Sequence, residues 1–507
     1  MVLPCRYLSV RKITPEREKR YAMKSVKSYL DSTLKKLYKT ADNSLARGRL
    51  DDAMAAVASA ARILYAANTR YTDPVAEELL AKIVEQLPEP KAGEAVPGRI
   101  LFYDGFGFNN RGLVQIYLKA LGKQGQLIYV THARNRENLP DVLQIVQDCG
   151  GTVIWLTGNT MTSLAGEISG LFAQQLPQSA FLYTMPNDVP ALAAFQRNEG
   201  CAHRYQINLT DHAYWLGTAA FDTCIEFRDY GASISRDKRG ILAEKLVKVP
   251  FYPAIDANAP FQGYPFPVSE EKQVVFSGGS LYKTLGGGNR YYAMVEFILK
   301  EFPNALFWYA GSGDASQLTL LIEKYPGRVF HTVERSDLFQ VLQNSFLYLS
   351  TYPLCGGLMF QYAASAGKIP VTLRYDDVSD DFLLEQDDLG IQFETTEEVE
   401  QELRKLFSDP DYRAEKERRV RAAVLDQTAF EASVEKLLQT GDSGYQIRFK
   451  PVNTREFLDE YLDNLTKNEI AQYLVNKKSL CLLRSMPMGF IRGAAYKIKS
   501  KLEEKWK

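Results

Sequence analysis

Cysteine, histidine and tryptophan are scarce, at 6, 4 and 4 of 507 residues. The cysteines, Cys5, Cys149, Cys201, Cys224, Cys355 and Cys481, form no C-x-x-C pair. Neither a disulfide framework nor a thiolate zinc site is indicated, and buried free thiols are expected. No stretch reaches the roughly 18 uninterrupted apolar residues of a membrane-spanning helix, and Met1–Lys12 lacks the apolar core of a secretory signal. A cytoplasmic chain is therefore expected. Net charge is missing too, with 61 Lys and Arg against 61 Asp and Glu, but the balance is uneven. Residues 1–49 hold 13 basic against 4 acidic side chains and residues 484–507 hold 7 against 2, which puts +9 and +5 on the ends and −14 on the body. An acidic body argues against a nucleic-acid binder with a basic groove across its main domains. It leaves the basic ends as surfaces for the inner face of a membrane or for a partner, another copy of the chain included.

What is present is the composition of an ordinary folded protein, 46% hydrophobic and 24% charged, long enough for two to four domains at roughly 100–200 residues each. Thr14, Pro15 and Glu16 make a cap, a first-turn proline and a dipole-matched acid, and Tyr21, Leu30, Leu34, Leu37 and Tyr38 follow at helical spacing until Gly48. Asp51 is expected to cap a second helix and Asp73-Pro74 to start a third. A Pro/Gly-rich linker covers Leu87–Gly98. From there short apolar runs alternate with helical stretches. Ile100–Tyr103, Gln126–Val130, Thr152–Leu156, Phe181–Thr184, Tyr205–Leu209 and Thr223–Glu226 are predicted strands. Beyond prolines 250–267 comes a second such block, with strands predicted at Val274–Ser277, Ala305–Tyr309, Val329–Thr332, Phe346–Ser350 and Ile369–Leu373. The expectation is an α/β protein with two Rossmann-like doubly wound domains, at 98–265 and 266–440. A helical region at 1–97 precedes them, and helices with a basic tail at 441–507, including Thr454–Val475, follow.

Doubly wound sheets bind ligands outside the carboxyl ends of their strands, so chemistry is sought in those loops. After the first strand, Gly105 and Gly107 let backbone approach a ligand, and Asn109 follows, but Asn110 stands where a dinucleotide fingerprint needs glycine. In the second block Gly278 and Gly279 are small enough for backbone amides to face an anion, with Lys283 and Arg290 to add charge. Gly356 and Gly357 then open a helix whose unpaired amides favour a diphosphate. Asp409-Pro410-Asp411 reads as a helix cap, and no metal site is expected. The loop Asn208–Gly217 places Asp211 and His212 beside Tyr214 and Trp215, whose aromatic faces suit sugar rings. An imidazole, with an ordinary pKa near about 6.5, accepts a proton from an acceptor hydroxyl; Asp211 does the same or orients the histidine. Arg228 follows the next strand and is a further candidate for acceptor or diphosphate contact.

The segments Arg328–Gln343 and Leu349–Val371 resemble the donor half of glycosyltransferases with the two-Rossmann GT-B fold, and the Asp-His loop resembles one found in bacterial members. The resemblance implies base contacts by Val333 and Arg335, a diphosphate held by Gly356 and Gly357, and a sugar or ribose contact by Gln361. Pro353 and Gln361 stand where many retaining members have two glutamates, so the resemblance points to inverting relatives. It implies a nucleotide-sugar co-substrate, UDP favoured, with no other cofactor, and a glycan, lipid-linked or protein acceptor. Two other outcomes fit the same residues: a nucleotide-sugar epimerase or glycerol-phosphate polymerase on this fold, and a silent scaffold subunit of a transferase complex.

Overall fold

The computed structural model describes residues 15–91, 93–109, 113–256, 258–375, 381–384, 386–452, 465–476 and 480–505. Thr14, Asn110 and most of the predicted Thr454–Val475 helix lie outside them. Three helices come first: α1 (Pro15–Leu45), α2 (Leu50–Ala67) and α3 (Pro74–Glu85). The face of α1 carrying Leu30, Leu34, Leu37, Ala41 and Leu45 is buried, as its spacing requires. Eight alanines let α2 sit close to α1, α3 and their neighbours; every side chain from Ala53 to Ala67 is buried or half-buried. Asp73 caps α3 through the Val75 and Ala76 amides. Asp51 does not cap α2. It lies in the first turn and accepts from the Thr162 amide at 2.9 Å, pinning the helix to the first sheet domain.

That domain runs β1 (Val96–Asp104), α4 (Leu113–Gly122), β2 (Gln126–His132), α5 (Pro140–Asp148), β3 (Thr152–Leu156), α6 (Met161–Gln175), β4 (Pro177–Tyr183), α7 (Val189–Arg197), β5 (His203–Ile207), β6 (Thr223–Glu226), α8 (Asp229–Arg239) and β7 (Leu246–Lys248). The second runs β8 (Gln273–Gly278), α9 (Arg290–Glu301), β9 (Ala305–Ala310), α10 (Ser316–Lys324), β10 (Val329–Thr332), α11 (Leu338–Gln343), β11 (Leu347–Leu349), α12 (Gly357–Ser365), β12 (Pro370–Leu373), β13 (Gln392–Phe393), α13 (Thr396–Ser408) and α14 (Pro410–Ala422). Both sheets are wholly parallel, in the orders β3-β2-β1-β4-β5-β6-β7 and β10-β9-β8-β11-β12-β13. These are two Rossmann-like sheets, each reversing its order beside its first strand.

Alternation along β1 divides the first core. Leu101 and Tyr103 face α6, α7 and the amino-terminal helices, whereas Ile100 and Phe102 face α4 and α5. α15 (Gln427–Thr440) returns to this second face, where Phe430, Val434 and Leu437 join the same cluster. Last come α16 (Lys467–Gln472), α17 (Cys481–Ser485) and α18 (Pro487–Lys505), packed against the amino-terminal helices.

Candidate active site

The reversals place a crevice between β8 and β11, and the chain there is shaped for close approach. Gly279 follows β8 at φ +117°, a conformation that L side chains rarely adopt, and a Cβ there would meet open space. A 3-10 turn then carries Lys283, whose carbonyl accepts from the Leu354 amide at 3.3 Å. This holds the Lys283 loop against the loop that leads into α12. Gly356 occupies the cap position of α12 without any side-chain cap, and the Lys283 Nζ lies 3.5 Å from where a Cβ on Gly356 would sit. An ammonium and the positive end of a helix dipole are thus brought together, an arrangement that an anion relieves. At Gly357 a Cβ would fall 2.4 Å from the Phe382 ring.

Phe382 connects this helix start to the Asp-His loop. Its ring stacks under the Arg228 guanidinium at 4.4 Å, and Arg228 donates to both oxygens of Asp211, from Nε at 2.5 Å and from the terminal nitrogen at 3.1 Å. The Asp211 carboxylate also meets His212, Oδ1 to Nδ1 at 3.3 Å. Asp211 is 1% exposed, and burial works against its charge, but Arg228 and His212 outweigh that and hold the carboxyl well below the usual carboxylate range. Arg228 is held above its ordinary value by Asp211 and Asp381 despite its own burial. The His212 side chain keeps 35% of its surface open, so a dry, ionised carboxylate stands behind a reachable imidazole.

The loop is clamped from three sides. Arg239, from the end of α8, donates to the carbonyls of Thr210, Asp211 and Ala213 at 3.3, 2.8 and 2.6 Å. Asn208 donates to both oxygens of the buried Glu226. Asn68, past the end of α2, donates to the His212 carbonyl and accepts from the Tyr214 amide. Glu77 of α3 accepts from the amides of Gly217 and Thr218. None of these supports was expected from the sequence. Asp381 was not expected either: it meets Arg228 at 3.7 Å and accepts from the Tyr230 amide at 3.3 Å, and burial lifts its carboxyl to about 6.

Several expected contacts fall elsewhere. Tyr214 and Trp215 do not present faces to a sugar, because both are buried in separate cores and Arg239 covers the Trp215 ring at 4.7 Å. Gln361 is buried, and its Nε2 donates to the carbonyls of Phe251 and Phe382, tying the interdomain segment to α12. Arg335 is engaged bidentately by Asp337 at 2.7 and 2.8 Å, beside Trp308. Arg228 is buried and committed to Asp211. Val333 stands exposed after β10. Gly105 and Gly107 sit where a Cβ would collide with Thr184 and Asn135, respectively, and the Asn109 amide donates to the Asn138 carbonyl. Among the described residues no cluster of three metal-ligating side chains occurs.

No protein-family model and no curated protein matches this chain. Solved structures do. A mutant of the O-GlcNAc transferase of Thermobaculum terrenum superposes with a TM-score of 0.51 at 16% identity over 84% of each chain. A glycosyltransferase from Rickettsia africae superposes with a TM-score of 0.50 at 10% identity, covering 68% of this chain and 99% of its own. The fold is GT-B. At such identities the likeness establishes architecture, and chemistry has to come from the site.

Proposed function

We propose that this GT-B chain is a glycosyltransferase that moves a sugar, with inversion, from a nucleoside diphosphate to a nucleophile on a glycan, lipid-linked or protein acceptor. UDP is the favoured nucleotide. The observation that carries the reading is the run of contacts Asp211–Arg228–Phe382–Gly357, which joins a histidine backed by a carboxylate to an uncapped helix start bearing a lysine.

In this reading the diphosphate lies against the first amides of α12, with Gly278 and Gly279 giving it room and Lys283 adding charge. Val333 borders the base. Asp211 accepts the Nδ1 proton of His212, which leaves the Nε2 lone pair as the acceptor. As the acceptor oxygen attacks the anomeric carbon, its proton passes to Nε2 and the bond from that carbon to the phosphate oxygen breaks. The new charge on the leaving diphosphate is met by the helix amides and Lys283, so the step needs no metal cation. The imidazolium that forms is stabilised by the ionised Asp211. Gly105, Gly107 and Asn109 border the acceptor, and α18 rests on an anionic membrane where the acceptor is lipid-linked.

Release of UDP from UDP-glucose and UDP-N-acetylglucosamine, with water in place of the acceptor, tests the assignment. His212→Ala is expected to slow it by about 10²–10⁴ while leaving UDP affinity intact. An unchanged rate removes His212 from the mechanism. Conversion of the sugar without UDP release identifies an epimerase, and binding without turnover a scaffold.

A further inference from the structure

A separate cavity of about 280 Å³ opens where the first sheet reverses its order, between the ends of β1 and β4. Such switch points are where open α/β sheets take ligands. Arg62, from α2, and Arg134, from the turn after β2, both line it. Among the described residues neither guanidinium has a hydrogen-bond or ion-pair partner. Arg62 is half-buried; burial lowers its pKa, Asp188 opposes that, and the nearby charge of Arg134 lowers it further. Lys497 of α18 is lowered in turn by burial and by Arg62. The two guanidiniums thus lie at one cavity, with two carboxylates, Asp104 and Asp188, in the same lining. Both carboxylates are engaged: Asp188 accepts from the Tyr103 and Thr184 hydroxyls at 2.7 Å each, and Asp104 accepts from the Tyr129 hydroxyl and from the Phe106 and Gly107 amides. His132 accepts the Arg134 amide on Nδ1 at 3.1 Å, which puts its ring proton on Nε2. One part of the wall is apolar, formed by Leu156, Met161 and Leu164, while Asn135 and Asn187 also line the cavity.

We infer that this cavity binds a phosphate group carried by the acceptor, with Arg62 and Arg134 as its two guanidinium partners. Paired guanidinium forks match a phosphate's oxygens in geometry and charge. A space of this size also admits a sugar-sized group beyond the phosphate, set against the apolar wall. That the phosphate belongs to an acceptor rests on the glycosyl-transfer reading; phosphate binding itself does not.

Isothermal titration of the full chain with glucose 1-phosphate, farnesyl phosphate, glucose and UDP tests the site. Saturable binding of a phosphate compound, none of glucose, and a loss of about tenfold or more in Arg62→Gln and Arg134→Gln with UDP affinity unchanged is the expected pattern. Preference for farnesyl phosphate marks a lipid-borne phosphate and preference for glucose 1-phosphate a soluble one; both sustain the site. The Arg134 side chain is exposed, so Arg134→Gln decides the matter even where Arg62→Gln weakens the packing of α2. Phosphate affinity unchanged in Arg134→Gln, lost instead in Lys283→Met, or absent from the parent chain overturns the inference. Failure of the glycosyl-transfer reading would appear separately, as an absence of UDP binding or of UDP release from the nucleotide sugars.

Discussion

Asn68 holds the backbone of His212 from 144 positions away: its Nδ2 donates to the His212 carbonyl at 3.0 Å, and its Oδ1 accepts from the Tyr214 amide at 3.1 Å. The same residue closes α2 in the left-handed region, at φ +41°, a conformation that asparagine tolerates. The amino-terminal helices thereby take part in shaping the loop that carries the proposed base.

Replacing Asn68 by glycine keeps that backbone conformation and removes both hydrogen bonds. A buried carbonyl and a buried amide are left unpaired, at about 1–3 kcal/mol each. Asn68→Gly is expected to lower stability in urea and to slow UDP release by about tenfold or more. UDP affinity, measured by titration, should stay at the parent value. Asn68→Asp retains the acceptor for Tyr214 and should fall between the two.

Buried carboxylates set a pH dependence. Burial lifts Asp381 to about 6 against the pull of Arg228, and lifts Glu77 to about 7 against the hydrogen bonds it accepts from Gly217 and Thr218. Both values lie above those of the unfolded chain, so the folded protein keeps protons that the unfolded chain has released. Stability contributed by the protonated forms is full at low pH and is lost as pH rises through about 4 to 7. Asp381→Asn should flatten part of that slope and exceed the parent at about pH 7.5 by up to about 3 kcal/mol, the equivalent of about two pKa units. Urea unfolding across this range measures it; an unaltered slope in the variant contradicts the assignment.

The outer face of α18 carries Met488, Ile491, Ala495, Ile498 and Leu502 at helical spacing, with Met488 78% exposed. Arg492, Lys499 and Lys501 are exposed beside this stripe, while the opposite face packs so closely on α16 that a Cβ at Gly493 would strike the Ala471 carbonyl. No helix among the described residues is long and apolar enough to cross a membrane, and an exposed apolar stripe beside basic side chains is the surface that a membrane role proposed for α18 would use. Co-sedimentation with phosphatidylglycerol vesicles, but not with phosphatidylcholine ones, is expected. It should be lost in the double variant Ile491→Glu, Ile498→Glu and weakened by salt. Equal recovery of parent and variant contradicts a membrane role for the stripe.

The sheets were legible because their strands read as short apolar runs, the central ones buried on both faces; Thr223–Glu226 and even the partly open edge strands Thr152–Leu156 and Val329–Thr332 agree at both ends. The edge strands β7 and β13, of three and two residues, are too short to show any period. The site was legible only where local chain geometry creates it. Glycines before a helix and a histidine past a strand end can be seen in one dimension. Tyr214 and Trp215 looked accessible among polar neighbours, but Asn68 and Arg239 fold that loop inward. Asp381 and Phe382 acquire their places only when the two sheet domains meet, and no local pattern signals that contact.

Titration of UDP, UDP-glucose and UDP-N-acetylglucosamine into the parent chain, Lys283→Met and His212→Ala tests the central claim most directly. The predicted result is saturable binding by the parent, weakened by about tenfold or more in Lys283→Met and preserved in His212→Ala, because one residue meets the diphosphate and the other the acceptor proton. Absence of binding by the folded parent, or equal affinity in Lys283→Met, would contradict a nucleotide-sugar site at the start of α12.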